Sequence, residues 1–174
     1  MIFVFEGPSK AGKTTIQDYL KNNFTISPNE KKYYYPKNWL FYDGFSLLDI
    51  GPNKWDDYIH FENAVFGKLN YYNKDKVFIL DRFFSEIIYN EDNEKWLRTF
   101  EHHNACIIYI DANNKVLKKR NTKDSNIEKT RKRYNNILLP KFDHIKIKNN
   151  GDISLYNVSE KVHNFIVKKM EENL

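Results

Sequence analysis

The stretch that decides the fold runs from Ile2 to Thr15 and reads IFVFEGPSKAGKTT. Its second half has the spacing G-x-x-x-x-G-K-[ST] of a phosphate-binding loop. An apolar strand leads into a glycine-bounded turn, and the turn opens a helix near Thr14. Backbone N–H groups at such a helix start point at an anion, and the helix dipole favours negative charge there. The stretch therefore predicts a nucleoside-triphosphate site.

Single residues of this loop have predicted roles in holding the nucleotide. Gly7 and Gly12 allow close approach of the backbone to phosphate. Lys13 is expected to reach the β- and γ-phosphates, and the Thr14 hydroxyl to ligate Mg²⁺. We expect ATP to contact the whole loop and the first helical turn, namely Gly7, Pro8, Ser9, Lys10, Ala11, Gly12, Lys13, Thr14 and Thr15.

Length and composition indicate one domain over residues 1–174 with a substantial core, since 16% of the residues are aromatic. The one cysteine, Cys106, excludes an intramolecular disulfide and indicates a reducing compartment. Apolar runs are too short to span a bilayer, and the first strand directly follows the initial methionine. We therefore expect a cytoplasmic protein without a membrane partner or a cleaved signal.

Positive charge is concentrated in one segment of the chain. The formal net charge is +5, and residues 115–148 hold twelve Lys or Arg against three Asp or Glu. Such a segment is expected to face an anion. Nucleotide phosphates are the economical choice beside a phosphate-binding loop, and a nucleic-acid backbone stays open as an alternative.

Apolar runs typical of buried strands alternate along the chain with helical patterns. We expect strands at Ile2 to Phe5, Tyr33 to Tyr35, Val77 to Leu80, Ala105 to Ile110 and Ile145 to Ile147. We expect helices at Thr14 to Asn23, Trp55 to Tyr72, Phe84 to His103, Asn113 to Arg120, Ile127 to Leu139 and Val158 to Met170. The stretch between Pro36 and Pro52 is expected to be an irregular acceptor-site loop or lid. This alternation predicts an α/β fold with a mainly parallel sheet, helices on both faces, and ligands at the carboxyl ends of the strands.

A second pair of chemically important residues follows the strand from Val77 to Leu80. Asp81 stands where phosphate-loop enzymes keep the carboxylate that holds Mg²⁺ directly or through water. Arg82 comes next, and its guanidinium can clamp a transferred phosphoryl group or an acceptor phosphate with two hydrogen bonds. The alternative is a structural Asp-Arg ion pair that closes the strand.

These residues resemble a family. The stretch from Phe5 to Thr15, with Asp81-Arg82-Phe83-Phe84-Ser85, is similar to the F-E-G-x-x-x-A-G-K-[ST]-T and D-R-[YF]…S signatures of thymidylate kinases and related deoxynucleoside kinases. Weaker similarity continues through residues 109–120 and 145–151. The resemblance implies the three-layer nucleoside-monophosphate-kinase fold, a five-stranded parallel sheet with helices on both faces and a short lid at about residues 118–133.

The resemblance also implies roles for three further residues. Glu6 is similar to the glutamate that deoxynucleoside kinases use as base for the sugar 5′-hydroxyl, a base that a monophosphate acceptor does not need. Lys10 stands where some thymidylate kinases keep a catalytic arginine. Arg120 ends a helix that enters the lid, where it is expected to close over the phosphates with neighbouring cations.

The acceptor site is less well marked. Ser9 replaces a common Asp of thymidylate kinases, and Tyr34-Tyr35-Pro36-Lys37 replaces an Arg-Glu-Pro motif. Our acceptor-binding candidates are Lys37, Phe61, Glu62 and Ser85. Thymine specificity does not follow from these residues.

The sequence thus predicts a kinase that uses ATP and Mg²⁺ to phosphorylate a deoxynucleoside monophosphate, with Lys13, Arg82, Glu6, Lys10 and Arg120 as catalytic candidates and Thr14 and Asp81 as metal ligands. A deoxynucleoside kinase with Glu6 as base is the alternative, followed by a nucleic-acid-directed kinase. We treat Lys13 as an exposed loop lysine whose loss would spare the fold. A homodimer stays open.

Overall fold

A computed structural model describes residues 1–23, 39–43, 77–84, 88, 97–98, 100–101, 103–122 and 126–173. Five strands within these ranges form one sheet: β1 (Ile2–Glu6), β2 (Trp39–Asp43), β3 (Val77–Asp81), β4 (Cys106–Asp111) and β5 (Asp143–Lys148). All neighbours pair in parallel, in the order β2-β3-β1-β4-β5. The central strand is β1, which carries the phosphate-binding loop at its carboxyl end.

Helices follow the strands in the described part of the chain. Their bounds are α1 (Lys13–Asn23), α2 (Asn114–Lys119), α3 (Ile127–Arg133) and α4 (Leu155–Glu171). A π-helical turn (Tyr134–Leu138) and a 3-10 turn (Leu139–Lys141) continue directly from α3. None of the helices among these residues has the length and apolar character to cross a bilayer.

Alternation of buried side chains along the strands places a core on each face of the sheet. Ile2 and Val4 of β1 belong to a cluster with aromatic residues that follow β3, including Phe83 and Phe84. Phe3 and Phe5 belong to a second cluster with the apolar sides of α1 and α4. Because both faces are covered, the strands are near-continuous apolar runs, as parallel strands usually are.

Asparagine and serine side chains mark where three helices begin. Asn113 accepts a hydrogen bond from the Val116 amide at the start of α2, and Asn126 accepts one from Lys129 at the start of α3. Ser154 accepts one from Asn157 at the start of α4. Each side chain satisfies a helix N–H that lacks an intrahelical partner.

The predicted α/β class with a five-stranded parallel sheet is confirmed, but one strand lies where we expected an irregular loop. The strand β2 lies inside the stretch between Pro36 and Pro52 that we expected to be irregular. Flanking Pro and Gly residues suggested a loop, whereas the aromatic run WLFYD has the β propensity to pair with β3. The expected strand at 33–35 and helix at 55–72 lie outside the described residues.

Two expected helices also differ in detail. The pattern from Ile127 to Leu139 forms α3 and then the π and 3-10 turns, because Pro140 cannot continue an α-helix. The stretch from Phe84 to His103 is described only in part, with helical backbone at residues 84, 97, 98, 100 and 101.

Strand order positions the functional edge. The connection from β3 to β4 passes over β1, so the strand order reverses beside the central strand. Ligands of open α/β sheets bind outside the carboxyl ends at such a point. Glu6, Asp81 and Asp111 end three adjacent strands at this edge.

A substitution at Gly7 tests how closely the backbone at the end of β1 approaches its neighbour. Its φ is +131°, and a Cβ there would overlap the carbonyl oxygen of Ile110. We expect Gly7→Ala to lower the free energy of unfolding by about 3 kcal/mol or more, since backbone strain and a backbone clash add. Urea denaturation measures the change.

Gly151→Ala is the matched control. Its φ is +83°, and the nearest atom to an added Cβ is Nη2 of Arg120 at 3.7 Å. Only the left-handed backbone is penalised there, at roughly 1–2 kcal/mol. Equal losses in the two variants would contradict the close approach at Gly7.

Candidate functional site

The loop between β1 and α1 has the backbone conformation that brings N–H groups towards one point. Gly7, Lys10 and Gly12 have positive φ values of 131°, 63° and 100°. A Cβ on Gly12 would meet the side-chain amide nitrogen of Asn149, which can move aside, so the positive φ is what favours glycine at this position. Successive N–H groups in such a turn form a concave anion site.

Lys13 is buried rather than exposed. Only 3% of its surface is accessible, and Nζ donates to the carbonyl oxygens of Gly7 at 2.9 Å and Pro8 at 2.7 Å. Our expectation of an exposed lysine was therefore wrong. The charge lies inside the loop, where low solvent exposure strengthens its attraction for phosphate.

Thr14 and Asp81 meet although 67 positions separate them. The Thr14 hydroxyl donates to Oδ2 of Asp81 at 2.7 Å. The second oxygen, Oδ1, is buried and has no hydrogen-bond partner within the described part of the chain. A hydroxyl and a carboxylate with a spare oxygen suit Mg²⁺, which takes one or two protein ligands and keeps several waters. No cluster of three or more His, Cys, Asp or Glu able to hold a metal occurs among the described residues.

Arg82 reaches the same cleft from the turn after β3. Its φ is +57°, unusual for a residue with a side chain, and its amide donates to the Phe5 carbonyl at 3.0 Å. The side chain is half-buried and lines a cavity of about 670 Å³ beside Lys13 and Thr14.

Both cationic and apolar side chains line the cavity. Lys10, Lys13, Arg82 and Arg120 supply positive charge along the loop side. Ile153 and Leu155, which follow β5, supply apolar surface. A molecule with a polyphosphate and a flat apolar group matches this lining.

Residues from the second half of the chain hold the loop from outside. Arg120 donates through Nη1 to the carbonyls of Lys10 at 3.5 Å and Ala11 at 3.4 Å. Asn149 donates to the Ala11 carbonyl at 2.9 Å, and the Thr122 hydroxyl donates to the Ser9 carbonyl at 3.1 Å. The predicted lid residue Arg120 thus contacts the phosphate-binding loop.

Arg131, within the predicted lid segment, binds the protein itself. Its guanidinium binds both carboxylate oxygens of Asp111, at 2.8 and 3.1 Å, and also contacts the Ala112 carbonyl, Asn114 and Glu128. These donors are committed to the protein and do not line the large cavity. The bidentate pair fixes α3 to the carboxyl end of β4.

Glu6 lies beneath the loop with no accessible surface. One carboxylate oxygen accepts from the amides of Phe83 at 2.7 Å and Phe84 at 2.6 Å, and the other accepts from the Tyr134 hydroxyl at 2.8 Å. Burial raises the pKa of Glu6, although these donors and nearby Lys13 oppose the rise. The carboxylate does not line the large cavity.

The structure brings most of the predicted site together. Residues of the loop and first helical turn line the cavity with Arg82 and Arg120, while Gly7, Pro8 and Ala11 contribute backbone behind it. The acceptor-binding candidates Lys37, Phe61, Glu62 and Ser85 all lie outside the described residues.

Sequence reasoning missed Asn149, Thr122 and Tyr134. Asn149 opens the run Asn149-Asn150-Gly151 at the end of β5, and that turn signal at a strand terminus could have identified it. Thr122 and Tyr134 carry no local signal, since each acts across more than one hundred residues.

Comparison with known proteins supports the fold. The YorR protein of Bacillus subtilis, whose crystal structure contains phosphorylated GDP, superposes with a TM-score of 0.56 at 20% identity over 99% of this chain and 98% of that one. The chain has the fold of YorR. A deoxyadenosine kinase from M. mycoides with bound dATP aligns at a TM-score of 0.46 and 14% identity over 95% and 99% of the two chains. No protein-family model and no curated protein sequence matches the chain.

The buried carboxyl of Glu6 predicts a pH dependence of stability. A pKa above the unfolded value makes the folded state take up a proton more readily. The stability that Glu6 contributes is then fully present below the unfolded pKa of about 4.3 and is lost as pH rises through the folded pKa. The Gln side chain of Glu6→Gln cannot titrate. The free energy of unfolding of the wild type should therefore exceed that of the variant by less as the pH rises.

Urea unfolding of both proteins between acidic and neutral pH measures this difference. If the difference in the free energy of unfolding instead grew with pH, the raised pKa of Glu6 would be contradicted. The three hydrogen-bond donors would then lower this pKa by more than burial raises it.

Proposed function

We propose that the protein is a phosphate-loop kinase that transfers a phosphoryl group from ATP to a deoxynucleoside monophosphate. One observation carries the proposal: the buried Lys13, Thr14 and Arg82 line one cavity at the carboxyl edge of the sheet, and Thr14 is hydrogen-bonded to Asp81. Phosphoryl transfer depends almost entirely on positioning and charge stabilisation, and this arrangement supplies both.

The loop would hold the donor phosphates. Its N–H groups and the start of α1 favour negative charge, and Lys13 offers a buried cation. Arg82 supplies a guanidinium from β3, and Arg120 supplies one from the lid side. Lys10 is an exposed cation at the cavity and the natural partner of charge on the transferring group.

Thr14 and Asp81 would hold Mg²⁺. The spare Oδ1 of Asp81 and the exposed position of Thr14 fit an ion that binds through oxygen and water. When bound, Mg²⁺ neutralises charge that develops on the phosphates.

The burial of Glu6 argues against the alternative in which Glu6 is the base for a nucleoside acceptor. A nucleoside hydroxyl needs a base within hydrogen-bond reach, whereas a phosphate oxygen is already anionic. Both oxygens of Glu6 are committed to donors, and no part of the side chain is accessible. The single cysteine is consistent with activity in the cytoplasm.

Turnover with Lys13→Met tests the proposal. Met keeps the length of the side chain and removes the charge, and we expect kcat to fall by about 10²–10³, as on loss of one transition-state donor. A coupled assay with ATP and Mg²⁺ measures it on deoxynucleoside monophosphates, deoxynucleosides and short oligonucleotides.

Lys21→Met, at an exposed position in the last turn of α1, is the control and should keep wild-type turnover. Lys13 is buried, so each assay must run below the measured Tm of its variant. If only deoxynucleosides were phosphorylated, the acceptor would be a deoxynucleoside and not the proposed monophosphate. If none of the monophosphates, deoxynucleosides and oligonucleotides were phosphorylated, the kinase proposal would be wrong.

Asp81→Asn tests the metal site. The amide retains the shape and loses the charge, so the Mg²⁺ concentration for half-maximal activity should rise about 10-fold or more. Magnesium titration at fixed ATP measures the shift. Asp18→Asn, an exposed carboxylate on α1, should leave the titration unchanged. If the Mg²⁺ dependence of activity were the same in both variants, Asp81 would have a structural role and would not bind the metal.

A further inference from the structure

The carboxylate of Glu6 joins three distant parts of the chain. Glu6 ends β1, Phe83 and Phe84 form the turn after β3, and Tyr134 follows the last residue of α3. The two amides donate to one carboxylate oxygen at 2.7 and 2.6 Å, and the Tyr134 hydroxyl donates to the other at 2.8 Å. All of these groups are buried.

The turn that Glu6 holds is the one that carries Arg82. With φ at +57°, Arg82 has a backbone conformation that residues other than glycine seldom adopt. Such a conformation persists only where several surrounding contacts hold it in place. Here the Arg82 amide is bound to Phe5, and the next two amides converge on Glu6. The carboxylate thereby fixes the backbone from which the guanidinium extends into the cavity.

Tyr134 connects this turn to the base of the lid. It opens the π-helical turn that continues α3, and such turns occur frequently at functional sites. Its ring packs against Tyr109 with centroids 5.3 Å apart. One helical turn earlier, Arg131 binds Asp111 and fixes α3 to β4. Tyr134 therefore lies at a firmly anchored lid base.

We propose that Glu6 and Tyr134 are positioning residues that hold the Arg82 turn in register with the base of the lid, and that Glu6 is not a general base. This inference rests on the proposed function, in which Arg82 acts on the transferring phosphoryl group. Its basis is geometric, because the carboxylate accepts from two backbone amides of the Arg82 turn and from the Tyr134 hydroxyl and has no accessible surface.

Tyr134→Phe is the main test, because it removes only the hydroxyl donor. We expect kcat to fall about 3- to 10-fold while KM for ATP changes less than about 2-fold, since a misaligned donor weakens the transition state more than the ground state. In an Arg82→Ala background the same substitution should cause no further loss, because Tyr134 acts through Arg82.

Glu6→Gln and Glu6→Ala separate positioning from base catalysis. The amide oxygen of Gln can still accept from Phe83 and Phe84, so Gln should keep kcat within about 3-fold of the wild type and Ala should not. A general base would instead lose about 10²–10⁴ in kcat in both variants.

Tyr109→Phe is the matched control. Tyr109 is buried on the same side of the sheet, opposite Glu6 in the β1-β4 register, and its hydroxyl has no hydrogen-bond partner among the described residues. Removing that hydroxyl should leave kcat unchanged. This result would show that the loss of a buried tyrosine hydroxyl at this edge does not by itself lower kcat.

Amide hydrogen exchange supplies a readout that needs no substrate. The amides of Phe83 and Phe84 should exchange about 10-fold faster in Tyr134→Phe and keep the wild-type rate in Tyr109→Phe. Three results would each overturn the positioning role. The first is an unchanged exchange rate of the Phe83 and Phe84 amides in Tyr134→Phe. The others are a full loss of kcat from Tyr134→Phe in the Arg82→Ala background, and a Glu6→Gln variant as inactive as Glu6→Ala. A wild type without turnover would overturn the proposed function and this role together, whereas an active wild type with those results would overturn this role alone.

Discussion

The central position of β1 is the constraint on which the site depends. Parallel strands pair with it on both sides, so its carboxyl end cannot move without moving β3 and β4. The chain leaves β1 at Gly7, where the backbone passes so close to the Ile110 carbonyl that no side chain fits. This close approach sets the start of the loop, and the first residues of α1 then line the cavity.

Three adjacent strands end in a carboxylate, and each carboxylate has a different task because its neighbours differ. Asp111 is neutralised by Arg131 and anchors α3. Asp81 binds the Thr14 hydroxyl through one oxygen, and its other oxygen is buried without a hydrogen-bond partner among the described residues. Glu6 is buried and is satisfied by two amides and a phenol. Similar residues at equivalent strand ends thus divide into structural anchor, metal ligand candidate and buried link.

The sequence predicted the features that local patterns encode. The spacing from Gly7 to Thr14 identified the loop, and apolar runs identified four strands, since periodicity and glycine positions are properties of neighbouring residues. It missed β2, because Pro36 and Gly44 dominated the interpretation of the aromatic run between them. Burial of Lys13 was also missed, since it results from the loop closing around the side chain and not from the composition of the loop.

Glu6 shows where sequence reasoning reaches its limit. Alternation along β1 places Glu6 on the same side of the sheet as Ile2 and Val4, so its direction follows from the pattern of one strand. Its function does not, because the group that occupies the second carboxylate oxygen is 128 positions away in the chain. A glutamate before the loop glycine is compatible with a base that faces substrate and with a buried link that faces the protein. Only the tertiary position of Tyr134 distinguishes the two, and here it favours the link.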